Sequence, residues 1–243
     1  VYFVSFVFED LFAVNSYFPK QKEIEMTKPR IPETDHGIQG EVTVAQYDQM
    51  QRGFLKKGWM ETQALLDSGI KEGHALEIGH GPGYLGLEWL KHTQNTTLTG
   101  FDISPDMHEL VKRNAKEYAL TERTQYRLGN CDHLPFDDNS FDAVFTNGSL
   151  HEWENPQAAF NEIWRVLKPG GRYFISDLRR DMKFLMLGFL WLGCRPTAMR
   201  PGLVTSVEAA YTPQELRKLT APTKLKNSKI SGNLVGVTIT GQK

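Results

Sequence analysis

Cysteine is almost absent from this chain. Cys131 and Cys194 are the whole complement among 243 residues, and their sequence surroundings differ. No disulfide framework can be built on them, and no Cys-x-x-Cys metal motif exists, so no metal is expected from spacing. Both thiols are expected free, which points to a reducing, cytoplasmic home. An excess of charge is missing too. The formal net charge is -1, and the run Arg179, Arg180, Lys183 is too short to follow a phosphate backbone. Nucleic acid is therefore not the expected partner. Long apolar runs are also lacking: the strongest, Phe184 to Leu192, falls far short of the ~20 residues a bilayer-crossing helix needs. Internal repeats and low-complexity tracts are not found.

What remains is an ordinary globular balance, 40% hydrophobic and 23% charged, at a length one α/β domain commonly fills. Val1 to Phe18 is rich in Phe and Val but is interrupted by Glu9, Asp10 and Asn15. It has neither the basic start of a signal peptide nor the length of a span. Met26 before Thr27-Lys28-Pro29 would suit an initiator, so the first 25 residues read as an added or mis-annotated leader. Pro29 to Gly40, with two prolines and two glycines, reads as linker. Residues 1–40 are thus leader and linker, and residues 41–243 one domain.

That domain opens with helical patterning from Thr43 to Ser68, with Tyr47, Met50, Phe54 and Leu55 on one face and Trp59, Ala64 and Leu65 on a second stretch. After Gly73 short apolar runs alternate with amphipathic helices. Strands are predicted at His74–Ile78, Leu98–Ile103, Thr124–Leu128, Phe141–Thr146 and Arg172–Ser176. Ser104-Pro105 and Asn155-Pro156 each look like a helix cap followed by proline at the first helical position. Lys168-Pro169-Gly170-Gly171 should stop the second of these helices. Such alternation predicts a parallel sheet with helices on both faces. The tail breaks it. Thr212-Pro213-Gln214-Glu215 has capping-box spacing, and Lys226–Ile230 and Leu234–Thr240 flank Ser231-Gly232-Asn233. Strands joined so closely must be antiparallel.

Glu77-Ile78-Gly79-His80-Gly81-Pro82-Gly83 follows the first strand directly. Three alternating glycines allow a tight turn and let a ligand lie on bare main chain. Glu77 could accept from an ammonium or from loop amides. Gly81, Gly83 and Gly86 also spell G-x-G-x-x-G, and Asp102 stands roughly 20 residues on, where a carboxylate meets ribose hydroxyls. To this point a nicotinamide dinucleotide fits as well. After the third strand comes Asn130-Cys131-Asp132-His133-Leu134-Pro135-Phe136. Ser140-Phe141-Asp142 and Arg165-Val166-Leu167-Lys168-Pro169-Gly170-Gly171 follow in order.

With these marks, Gly73 to Asp177 resembles the class I S-adenosylmethionine-dependent methyltransferases, in particular the branch similar to ubiquinone and menaquinone biosynthesis methyltransferases. The resemblance implies a Rossmann-like, open α/β sheet of seven strands, mostly parallel, ending in the antiparallel hairpin. It implies S-adenosyl-L-methionine as cofactor and S-adenosyl-L-homocysteine as product. The binding residues implied are Tyr47, Glu77, Gly79, His80, Gly81, Gly83, Asp102, Ile103, Met107, Asn130, Cys131, Asp132, Asn147 and Gly148. Many relatives carry Asp where Asn130 stands; its oxygen can still accept from an exocyclic amine. Cys131 would offer its backbone N–H to adenine.

Asn147-Gly148-Ser149-Leu150-His151-Glu152-Trp153 would lie beside the transferring methyl group, with His151 a candidate general base. The competing reading has His151 packing or capping the turn. Tyr47 is either a lid residue or core. The apolar insertion near residues 181–200 is a buried helix, a face for a second copy of the chain, or a lid over an apolar acceptor. Methyl transfer needs orientation above all, and a small-molecule acceptor is expected. A nicotinamide-dependent oxidoreductase and a non-catalytic S-adenosylmethionine-binding protein are the alternatives.

Overall fold

Alternating side chains on each strand divide the core in two. In the computed structural model, which describes residues 28–33 and 40–243, Leu76 and Ile78 of strand β1 (His74–Ile78) face one apolar cluster and Ala75 faces the other. Val144 of β4 (Phe141–Asn147) and Tyr173 and Ile175 of β5 (Leu167–Leu178) join the first, while Ala143, Phe145 and Phe174 join the second. A strand buried on both faces needs apolar residues at every position, which is why these strands read as continuous runs.

Helix α5 (Pro156–Val166) covers the first face with Ala159, Phe160, Ile163 and Val166. Helices α2 (Thr62–Asp67) and α3 (Tyr84–Lys91) cover the second with Leu65, Leu85, Leu87, Trp89 and Leu90. Trp89 also donates its indole N–H to the Ile70 carbonyl at 2.9 Å, so its polar atom is satisfied where it is buried.

Strands β2 (Thr97–Asp102), β3 (Thr124–Leu128), β6 (Lys229–Gly232) and β7 (Gly236–Gln242) complete a seven-stranded sheet in the order β3-β2-β1-β4-β5-β7-β6. The pairs β1/β2, β1/β4, β2/β3 and β4/β5 are parallel; β5/β7 and β6/β7 are antiparallel. This is the Rossmann-like α/β sheet expected, hairpin included. The chain steps outward from β1 to β3, then returns to the other side of β1 at β4. The reversal opens a crevice at the carboxyl ends of β1 and β4.

The predicted caps form. Ser104 Oγ accepts the Met107 N–H at 3.2 Å and starts α4 (Pro105–Glu117), and Asn155 Oδ1 accepts the Ala158 N–H at 3.1 Å. Before α8 (Pro213–Thr220), Thr212 Oγ1 accepts the Glu215 N–H while Glu215 Oε2 accepts the Thr212 N–H, a complete capping box.

Three expectations change. Lys168-Pro169-Gly170-Gly171 does end a helix, but β5 already begins at Leu167 and passes through it. The pairing to β4 is irregular between Phe141 and Ala143, which accommodates a proline without a donor. Helix α6 (Phe184–Gly193) is not a buried helix: Phe184 and Leu185 are 84% and 75% exposed, and no residue of α6 is buried. It touches the body through Phe189 on Trp59, which follows α1 (Glu41–Lys56). Nor is residues 28–33 free linker. Arg30 donates to the carbonyls of Ala209, at the end of α7 (Arg200–Ala209), and His151, and stacks 4.3 Å over Tyr211. The proposed leader, residues 1–25, and residues 34–39 of the linker lie outside the described residues.

Candidate cofactor site

The loop between β1 and α3 is left-handed at each of its three glycines: Gly79, Gly81 and Gly83 have φ of 62°, 50° and 84°. Side chains are strained there. A Cβ on Gly79 would stand 2.5 Å from Ser149 Cβ, because the loops after β1 and β4 touch at this point. A Cβ on Gly81 would make ordinary contact with the Tyr47 ring at 3.6 Å, and both residues line a cavity. That cavity is floored by the strand ends and roofed by Tyr47 and Gln51 of α1.

Its floor crosses four neighbouring strands. Glu77, Gly79, His80 and Gly81 line it at β1, Asp102, Ile103 and Met107 at β2, Asn130 and Cys131 at β3, and Asn147 and Gly148 at β4. Three interstrand spacings make this about 14 Å across, suited to an extended ligand rather than an ion. Gly148 (φ 69°) has nothing within 4 Å of an added Cβ.

Two carboxylates shape the floor. Asp102 is buried, accepting the Gly81 N–H on Oδ2 at 2.8 Å and the Ser104 N–H on Oδ1 at 2.9 Å. It therefore fixes the glycine loop while each oxygen keeps lone-pair capacity for a hydroxyl donor. Glu77 is 3% exposed; Oε1 accepts the Gly86 N–H at 3.2 Å, and Oε2 has no hydrogen-bond partner among the described residues. Burial pushes its carboxyl up to about 8, and only the Gly86 bond opposes this. An orphaned buried acceptor at the floor of a glycine cradle fits a cationic ligand group.

The predicted residues do not all meet. Gly83 does not line the cavity. It caps α3, and its lack of a side chain serves packing, since a Cβ would lie 2.4 Å from Val111 of α4. Asp132 is also outside the lining; its backbone N–H closes a turn onto Asn130 Oδ1 at 2.9 Å, which occupies part of the acceptor capacity expected of Asn130. The His80 ring turns away from solvent: Nδ1 bonds the Gly81 carbonyl at 2.7 Å, and burial lowers its affinity for a proton. The Cys131 thiol, raised by burial, is no nucleophile.

His151, the candidate general base, is buried and placed apart from the lining residues. Its backbone N–H donates to Asp177 Oδ2 at 2.8 Å, and Nδ1 lies 2.9 Å from both Asp177 oxygens. Burial alone would lower its basicity, but Asp177, Glu33 and Glu152 outweigh that and raise it well above the usual imidazole range. The ring thus stands behind Glu152, with Nε2 3.7 Å from Glu152 Oε1, rather than in the lining itself. The titratable side chain of this turn that does face the cavity is Glu152, lifted by burial to about 7.

Sequence reasoning missed Gln51, Met60, Tyr84, Glu152, Trp153 and Glu154, all in the lining. Gln51 was within reach, four residues beyond Tyr47 on the same helix face; its amide donates to Tyr47 Oη at 3.0 Å. The roof is fastened by Asp48, whose Oδ1 accepts from Tyr84 Oη at 2.6 Å and whose Oδ2 accepts from Arg52 at 3.0 Å. Arg52 in turn reaches Glu117 of α4 at 2.8 Å.

Comparison with known proteins gives the same reading. Residues 76–175 match the family model described as "Methyltransferase domain". A demethylmenaquinone methyltransferase from Roseiflexus castenholzii is 29% identical over 174 residues, covering 70% of this chain and 71% of its own. One from Porphyromonas gingivalis is 27% identical over 142 residues, covering 57% and 58%. The chain spans about half or less of the length of several other curated relatives it matches. A crystal structure described as a putative S-adenosylmethionine-dependent methyltransferase from Methanococcus maripaludis superposes with a TM-score of 0.68. It is 22% identical and covers 85% of this chain and 97% of its own; at that identity it shows the fold. The glycine loop falls within the matched residues 76–175, and these similarities support a class I S-adenosylmethionine-dependent methyltransferase, favouring a methyl donor over a dinucleotide in that loop.

Proposed function

We propose that this protein transfers a methyl group from S-adenosylmethionine to a small-molecule acceptor by in-line displacement. The observation that carries the reading is the crevice itself, which runs past four adjacent strand ends from a glycine cradle with an unpaired Glu77 oxygen to the loop after β3. When bound, the cofactor supplies an electrophilic methyl carbon on its sulfonium and leaves as S-adenosylhomocysteine. The main chain at Gly79 and Gly81 and the Glu77 carboxylate would hold its amino-acid end. Asp102 would take the ribose hydroxyls, and Ile103, Met107, Asn130 and the Cys131 N–H the adenine. Asn147 and Gly148 would border the reacting centre. Tyr47 and Gln51 close the roof and exclude water, and orientation then supplies most of the rate.

The acceptor is inferred to be small and in part apolar. The apolar side chains exposed on α6 (Phe184, Leu185, Phe189, Trp191 and Leu192) support that class. A second copy of the chain on that face is the competing use, read out by sedimentation. No helix among the described residues is long and apolar enough to cross a membrane. Incubation with methyl-labelled donor and a small-molecule extract should label a low-mass product. Tight cofactor binding with no labelled product from any extract would favour the non-catalytic binding protein instead.

A further inference from the structure

Beside the cavity, three side chains from two distant parts of the chain converge on one point. Glu33 comes from residues 28–33, His151 and Glu152 from the 3-10 turn after β4. His151 Nε2 lies 3.3 Å from Glu33 Oε2 and 3.7 Å from Glu152 Oε1, and one donor atom from each of the three falls within 4.8 Å of the others. We propose that Glu33, His151 and Glu152 bind a divalent transition-metal ion, with Asp177 orienting the imidazole.

Four observations carry this. His151 is 4% exposed, and its Nε2 is buried and aimed into the cluster, yet it makes no bond of hydrogen-bond geometry among the described residues. Its other nitrogen is held by Asp177 at 2.9 Å. A carboxylate on the far side of a histidine is the arrangement that fixes the tautomer and ring plane of a metal-binding imidazole. The two separations from His151 Nε2, 3.3 and 3.7 Å, are close to the roughly 3.4 Å that metal–nitrogen and metal–oxygen bonds of about 2.0–2.2 Å at tetrahedral angles require, and a small rotation of the carboxylates closes the third. The charge also calls for a cation. Glu33, Glu152 and Asp177 surround a single imidazole, and the nearby Arg30 guanidinium is turned to the carbonyls of Ala209 and His151, forming no ion pair with any of them. One nitrogen and two carboxylate oxygens favour a transition metal over Mg2+ or Ca2+, which prefer oxygen alone. Because Glu152 also lines the cofactor cavity, the ion would stand at the wall of that cavity. No spacing rule shows this site, since 118 residues separate Glu33 from His151.

The test uses the full chain, stripped with chelator and dialysed against Zn2+, then Co2+ for its spectrum. Wild type should retain one Zn2+ per chain. Glu33→Gln and Glu152→Gln leave the His151–Asp177 pair intact, and each should weaken retention at least tenfold with thermal unfolding still cooperative. Cys194→Ser and the exposed Glu72→Gln should retain Zn2+ as wild type does. The Co2+ form should show visible d–d bands and no near-ultraviolet thiolate band. Failure of wild type to retain Zn2+ at micromolar concentration would mean that a proton alone satisfies the cluster, and would overturn the proposal. Wild-type retention in both Gln variants, or an intense near-ultraviolet thiolate band with Co2+, would overturn it equally.

Discussion

Replacing Glu77 by Gln should remove a specific pH dependence from the ligand-free protein. The wild-type carboxyl is pushed from its ordinary 4.5 up to about 8 by burial. An acid raised in the folded state disfavours folding once it must ionise. Between 4.5 and 8 the unfolded chain has lost the proton while the folded chain keeps it, so stability falls by about 1.4 kcal/mol per pH unit and levels off above 8. From pH 5 to pH 7 this amounts to roughly 2–3 kcal/mol. At about 2–4 °C per kcal/mol for a chain of this size, it is roughly 5–10 °C in Tm. Gln keeps the acceptor for the Gly86 N–H, at 3.2 Å in the wild type, and carries no titration. Calorimetric Tm values for both proteins at pH 5, 6, 7 and 8 should therefore diverge, wild type dropping further by that amount. Subtraction removes contributions from other groups such as Glu152. Saturating S-adenosylhomocysteine should narrow the gap, because a cation beside Glu77 favours its charged form. Parallel curves for the two proteins would refute the claim that Glu77 is held neutral in the empty cradle.

Gly79→Ala places a side chain at φ 62° and 2.5 Å from Ser149 Cβ; a loss of about 1–3 kcal/mol is expected by denaturant titration, more than for Gly148→Ala, which meets nothing. Asp102→Asn weakens two charge-assisted bonds from Gly81 and Ser104, so stability should fall by about 1–3 kcal/mol and calorimetric affinity for S-adenosylhomocysteine at least tenfold. Phe184→Ser with Leu185→Ser alters side chains 84% and 75% exposed; unfolding should shift by no more than about 0.5 kcal/mol, whereas a loss of several would restore the buried-helix reading.

Where chain and ligand chemistry coincide locally, the sequence is legible. Gly79 and Gly81, Asp102 at the end of β2 and Gly148 after β4 are adjacent to strands whose pattern is plain, and strand ends face the crevice in any open parallel sheet. Caps at Ser104, Asn155 and Thr212 follow from side chains bonding their own backbone, so they too are visible one element at a time. Misreadings arise where a residue serves two distant partners. Gly83 looks like part of the ligand cradle, but Val111 on another helix is what excludes its Cβ. His151 looks like a free imidazole until β5 brings Asp177 against it. Glu152 and Trp153 lie in the segment marked as lying beside the methyl group, but which of its side chains turns inward depends on the 3-10 turn. Helix α6 is apolar on every side, and periodicity alone does not distinguish a buried helix from one that waits for a partner.

The central claim is that this crevice holds the methyl donor and not a dinucleotide. Titration calorimetry of the full chain with S-adenosylhomocysteine, repeated with NADH, addresses it most directly. Saturable one-to-one binding of S-adenosylhomocysteine, lost in Gly79→Ala and with no heat from NADH, is the predicted result. Tight binding of NADH, with S-adenosylhomocysteine producing no heat, would contradict the account.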